Sequence, residues 1–137
     1  MRFWDSSALV PLLLDQPSSA RALELLAIDS EMIVWWGSPI ECWSALHRLE
    51  RERTLTAEDV DEAAARLSTL SSSWHEVAPV EEVRLQARRL LRRHSLRAAD
   101  SMQLAAALVW AGLGEERELV TFDERLKVAA RLEGFVT

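Results

Sequence analysis

Residues 2–14, RFWDSSALVPLLL, decide the fold. The opening RFWD reads as a short first strand, and the chain passes from it into a helix without a linker. Asp5, Ser6 and Ser7 supply capping oxygens there, and ALVPLLL supplies an apolar face. The same alternation recurs outward from this stretch. Pro17 to Ala27 gives a second helix, and MIVWW at 32–36 is a continuous apolar run of β-branched and aromatic residues stopped by Gly37, the pattern of a strand covered on both faces. Ser38, Pro39, Ile40 and Glu41 form an S-x-x-E capping box with proline at the first helical position, opening a helix that runs to about Arg53. TAED at 56–59 caps another, with Val60, Ala64, Leu67 and Leu70 at helical spacing.

The second half repeats the pattern. His75 to Ala78 is a short strand, and Pro79 starts a helix with Val83, Ala87, Leu90 and Leu91 inward and Arg84, Arg88, Arg89, Arg92 and Arg93 outward. Arg97 to Ala111 is nearly all apolar and reads as a helix buried on every side. ELVTF at 118–122 is a strand, Asp123 caps a last helix, Gly134 stops it, and FVT adds an edge strand. This order predicts an α/β three-layer sandwich with a mostly parallel central sheet of four or five strands flanked by helices.

At 137 residues the chain is one domain, long enough to bury roughly two thirds of its unfolded surface. The lone Cys42 excludes an internal disulfide and fits a reducing compartment. The N-terminal apolar stretch is broken by Asp5 and Pro11, so neither a secretion signal nor a membrane span is read there; the expected location is cytoplasmic. A net charge of −6 argues against a generally basic nucleic-acid surface. Any such contact must be local. Its candidates are the stripe Arg84, Arg88, Arg92 with Arg89 and Arg93, and the pair Arg48 and Arg51, although a solvated helix face beside Glu81 and Glu82 is the favoured account of the stripe.

In an open parallel sheet, ligands bind beyond the carboxyl ends of the strands. Asp5 and Asp123 stand at such strand-to-helix turns, and Glu41 follows the 32–36 strand closely. Each also serves as a helix cap or half of a capping box, a role compatible with ligation because a carboxylate has several lone pairs. Asp100 lies in an apolar helix, where a carboxylate is costly unless paired or ligated; an Arg97 partner or a first-turn position near the helix dipole is the alternative. Carboxylates gathered in one place repel unless a cation neutralises them, and oxygen-only ligands select Mg²⁺ or Mn²⁺ over zinc. His47, His75 and His94 have no metal-ligand spacing and read as surface or capping residues. No P-loop, GxGxxG or GxSxG is present. Trp35 and Trp36 read as core filling, with base stacking the competing role.

The segments WDSSALVPLL (4–13), SPIECWSALHR (38–48), LRAADSMQLAAAL (96–108) and LVTFDERL (119–126), in this order, resemble the PIN-domain family, and within it the VapC-type toxins of bacterial toxin–antitoxin pairs. The resemblance implies a metal-dependent endoribonuclease with Asp5, Glu41, Asp100 and Asp123 as its acids. It further implies Ser6 or Ser7 at the hydroxyl position after the first acid, with Ser7 and Thr121 as the hydroxyls orienting the acids, Mg²⁺ or Mn²⁺ as cofactor, RNA as substrate, a homodimer, and a cognate antitoxin seated in a hydrophobic groove among the early helices. Two other classes fit the same pattern. One is a catalytically silent binding module, and the other a phosphoryl-transfer domain, which wants a lysine near the last strands where Lys127 is poorly placed.

Overall fold

The computed structural model describes residues 1–112 and 117–137. Four strands, β1 (Arg2–Trp4), β2 (Met32–Trp35), β3 (His75–Val77) and β4 (Leu119–Val120), form one sheet in the order β3-β2-β1-β4. Every pairing is parallel, with Arg2 opposite Met32, Phe3 opposite Leu119 and Ile33 opposite His75. Among the described residues seven helices accompany it: α1 (Ser6–Leu13), α2 (Ser19–Ile28), α3 (Ser38–Arg51), α4 (Ala57–Ser71), α5 (Glu81–Arg93), α6 (Ala98–Ala111) and α7 (Glu124–Leu132).

Strand side chains alternate between faces, and the alternation splits the interior in two. Phe3, Ile33, Trp35 and Leu119 join Val83, Leu90, Leu104 and Leu126 from α5, α6 and α7. Trp4, Met32, Val34 and Val120 join Leu9, Leu13, Leu46 and Leu67 from α1, α3 and α4. Both faces of the sheet are therefore covered, which is why β2 is apolar throughout rather than alternating. The three-layer sandwich expected from the sequence is the one observed.

Several local expectations are corrected. ELVTF contributes only two residues of strand, because the Thr121 hydroxyl accepts the Asp123 N–H at 3.1 Å and turns the chain into α7. FVT makes no strand; among the described residues a single bridge, Glu118 to Val136, remains after Gly134 turns the chain at φ 93°. Among the described residues the sheet thus has four strands. S-P-I-E is not a capping box: Gly37 occupies the cap position, Ser38 is already helical, and the Ser38 and Glu41 side chains are engaged elsewhere. Gly37 is fixed by close approach, since a Cβ there would stand 2.5 Å from Trp35 Nε1. The Thr56–Asp59 box does form, with Asp59 N–H donating to Thr56 Oγ1 at 3.1 Å and Thr56 N–H to the Asp59 carboxylate at 2.8 Å.

The N-terminal turn of α6 departs most from expectation. Ala98 and Ala99 are exposed and Asp100 is half-buried; full burial begins only at Ser101. Leu91 is also exposed, while Val83, Ala87 and Leu90 are buried as read. Trp35 fills the core, but Trp36 is 58% exposed and meets it edge-on. His94 ends α5 and pairs with Glu133, which also receives Arg89, so the ends of α5 and α7 are clamped together.

Candidate metal centre

Each acid is held by the local structure that its sequence position dictates. Asp5 leaves β1 in extended conformation and caps α1, accepting the Ser7 hydroxyl at 2.8 Å on Oδ1 and the Ser7 N–H at 3.3 Å on Oδ2. The Ser7 hydroxyl in turn accepts the Phe122 N–H at 2.9 Å and lies 3.2 Å from the Thr121 hydroxyl. Asp123 caps α7, its Oδ1 accepting the Leu126 N–H at 2.9 Å. Glu41, one turn into α3, accepts the Ser6 hydroxyl at 2.7 Å on Oε2 and the Gln103 amide at 3.2 Å on Oε1. Asp100 accepts the Arg97 N–H at 3.3 Å at the start of α6.

These separate placements converge. A hollow of about 280 Å³ at the carboxyl end of the sheet is lined by Asp5, Ser6, Ser7, Glu41, Arg48, Asp100 and Asp123. All four predicted acids reach it, together with Ser7; Thr121 stands behind, bonded to Ser7. Of the arginines, Arg48 lines the hollow, with an exposed ion pair to Glu52 at 3.6 Å, whereas Arg84, Arg88 and Arg92 on α5 do not line it, and Arg84 pairs with Glu81. Lys127 pairs with Glu124 and is absent from the lining, which removes the cation that a phosphoryl-transfer domain wants. Ser6, Ser38 and Gln103 carry more of the site than the sequence reading allowed. The available signal was a glutamine in an alanine-rich, otherwise apolar helix, three residues after Asp100; the structure buries it fully.

The electrostatics are those of crowded carboxylates. Burial raises the Asp5 pKa to about 7, with the charge of Glu41 adding to the rise and the Ser7 and Thr121 hydrogen bonds opposing it. Glu41 is raised by burial first, against hydrogen bonds from Ser6 and Gln103, and further by Asp100. Asp100 is raised by burial and by Asp123, and held down by the Arg97 N–H and by the charges of Arg97 and Arg125. The acids thus interact in sequence, Asp5 with Glu41, Glu41 with Asp100, Asp100 with Asp123.

This donor set suits a hard dication. It offers oxygen only, and burial first, then repulsion between neighbouring acids, raises the pKa of Asp5, Glu41 and Asp100, so a bound cation would offset a cost these groups carry when ionised. Among the described residues no three His, Cys, Asp or Glu side chains already form a chelate. Mg²⁺ does not require one, since it retains several waters and takes one or two carboxylates directly. Cys42 is buried, its thiol pushed up to about 12 by burial and by Glu41 and Asp5, and it is not among the residues lining the hollow.

The sequence matches the PIN domain family over residues 2–132. The chain belongs to the PIN-domain family. Two solved structures share the fold of this PIN domain: VapC20 of Mycobacterium tuberculosis, described as a sarcin-ricin-loop-cleaving toxin, and FitAcB from Neisseria gonorrhoeae. VapC20 aligns at a TM-score of 0.68 and 20% identity, covering 99% of this chain and 97% of its own. FitAcB aligns at 0.67 and 16% identity, covering 96% and 94%. No curated protein sequence matches the chain. Among its described residues the PIN domain has no helix long and apolar enough to cross a membrane.

Proposed function

We propose that this PIN domain is a Mg²⁺- or Mn²⁺-dependent endoribonuclease, the toxin of a type II toxin–antitoxin pair. The observation that carries the reading is the arrival of Asp5, Glu41, Asp100 and Asp123, from four separate elements, in one hollow beyond the strand ends. Asp5, Asp100 and Asp123 would hold the metal directly or through its waters, and Glu41 would ligate it or orient the attacking water. A bound divalent ion supplies a nucleophile from water and neutralises charge developing on the phosphate.

The chain's own side chains do the positioning. Ser7 and Thr121 fix the Asp5 carboxylate to the β4–α7 turn, so that two acids from opposite ends of the sequence keep a constant relation. Arg48, on the lip of the hollow, is placed to meet an RNA phosphate. The hollow is local and the chain is otherwise acidic, consistent with a substrate captured at one face only.

A second hollow supports the antitoxin as partner. Leu12, Leu13, Leu23, Leu26, Ala65 and Leu70, from α1, α2 and α4, line an apolar groove of about 410 Å³. An amphipathic helix of an antitoxin would lay its apolar face there. The expected homodimer and cytoplasmic location belong to the same reading; light scattering on the purified chain reads the former.

The deciding experiment incubates partner-free protein with total RNA under EDTA, Mg²⁺ or Mn²⁺. Cleavage under either metal that is lost in EDTA and in Asp5→Asn supports the reading, and absence of cleavage under every divalent metal ends it. Calorimetry separates the silent module, which would bind no Mg²⁺ in an Asp5-dependent manner.

A further inference from the structure

We propose that Gln103, anchored by Ser38, is the positioning residue that aims the Glu41 carboxylate into the hollow; the inference rests on the nuclease reading of that site. Gln103 and Ser38 are 1% and 0% exposed. A primary amide buried in a helix otherwise packed with alanine is costly unless all its hydrogen bonds are made. Here they are made by one arrangement.

The Glu41 carboxylate can only accept, so the amide nitrogen of Gln103 must face it, at 3.2 Å from Oε1. The second amide hydrogen goes to the Ser38 hydroxyl at 3.1 Å, and that same hydroxyl donates to the Gln103 carbonyl oxygen at 3.4 Å. Ser38 belongs to the first turn of α3, three residues before Glu41, so the bracket runs from α6 to α3 and back to the acid it holds. On the other oxygen, the Ser6 hydroxyl donates at 2.7 Å. Each oxygen of Glu41 therefore has one protein donor fixing it and lone pairs left over for the hollow.

The consequence is specific to Glu41. Asp5 and Asp123 are oriented by bonds to backbone N–H groups of the helices they cap, and Asp100 by the N–H of Arg97. Among these acids Glu41 alone receives only side-chain donors in the described bonds, and its longer side chain has more rotamers to restrain. Gln103 replaces the backbone contact that the other acids obtain from their caps.

Gln103→Met keeps length and removes both donors. Steady-state RNA cleavage by the folded variant should lose kcat by about 10–100-fold, the usual effect of removing a group that orients a metal ligand, with KM unchanged. Calorimetry with Mg²⁺ alone should show weaker binding, and Gln103→Met placed on Glu41→Gln should weaken it no further, since Gln103 acts through Glu41. Wild-type kcat and Mg²⁺ affinity in Gln103→Met, or an equal loss in the Glu41→Gln background, would overturn the proposal. If Gln103→Met does not fold, Ser38→Ala, which leaves the amide but removes its anchor, carries the same cycle. Should the wild type bind Mg²⁺ yet cut no RNA, the nuclease reading fails alone and the Mg²⁺ cycle still decides the bracket.

Discussion

The Ser7 hydroxyl lies 3.2 Å from the Thr121 hydroxyl, joining the first helix to the turn that follows the last strand across 114 positions of sequence. Ser7 donates to Asp5, so its oxygen accepts the Phe122 N–H, and the pair welds the Asp5 turn to the Asp123 turn. Ser7→Ala strands the Phe122 N–H. We expect a loss in the lower part of about 1–3 kcal/mol, because Ser7 is half-buried and water can reach the gap. Urea denaturation checks the stability loss. Cleavage by the folded variant should fall about 10–100-fold as Asp5 loses its fixed orientation.

Asp5→Asn and Asp100→Asn preserve shape and remove charge from the hollow. Each should abolish cleavage by more than the roughly 10–100-fold expected of an orienting residue, and each should weaken Mg²⁺ binding in calorimetry. Either variant cleaving at the wild-type rate would show that the hollow is not the active site.

Stability should depend on pH with an unusual sign. Asp5 rises from 3.8 to about 7 on folding, so between those values the native state holds a proton that the unfolded chain has released. Stability in EDTA therefore falls as pH climbs from about 4 to about 7 and levels off above, where Asp5 is ionised in both states. Glu41 and Asp100, also raised, act in the same direction. Asp29, Asp59 and Glu133, all depressed, act oppositely, but their ordinary values of 3.8 and 4.5 confine them to the acid end. Melting scans from pH 5 to 8 should show the decline, Asp5→Asn should flatten it, and Mg²⁺ should raise the melting temperature more at pH 8 than at pH 5 because metal competes with the proton.

Arg48 stands on the lip of the hollow, while the α5 arginines do not line it. Arg48→Ala should raise KM for RNA and reduce its salt dependence by about one phosphate contact. The triple change Arg84→Ala, Arg88→Ala, Arg92→Ala should raise KM less. The opposite ranking would place the RNA path over α5.

Leu23 lines the apolar groove of α1, α2 and α4 yet is 55% exposed. Leu23→Asp should leave the fold intact within about 0.5 kcal/mol and prevent capture by a co-expressed antitoxin. Retained capture would move the partner elsewhere.

The alternation of strands and helices, the burial of β2 on both faces and the capping roles of Asp5 and Asp123 were legible in the sequence, because each depends on neighbours within a few residues: side-chain period, a cap oxygen, a terminating glycine. Thr56 and Asp59 formed their box for the same reason. Ser38 and Glu41 show the same logic overruled. Their spacing is that of a capping box, but Gln103, 65 and 62 residues away, and Ser6 supply competing partners that only packing brings near. The apolar neighbours of Asp100 predict a helix sealed on nearly every side, whereas its place in the first turn of α6, beside Arg97, brings it to the surface next to the other acids. The order of strands put the carboxylates at one edge. Which hydroxyl or amide holds each of them, and that Arg48 rather than the α5 stripe reaches their hollow, was decided by contacts between distant elements, which no local pattern of residues encodes.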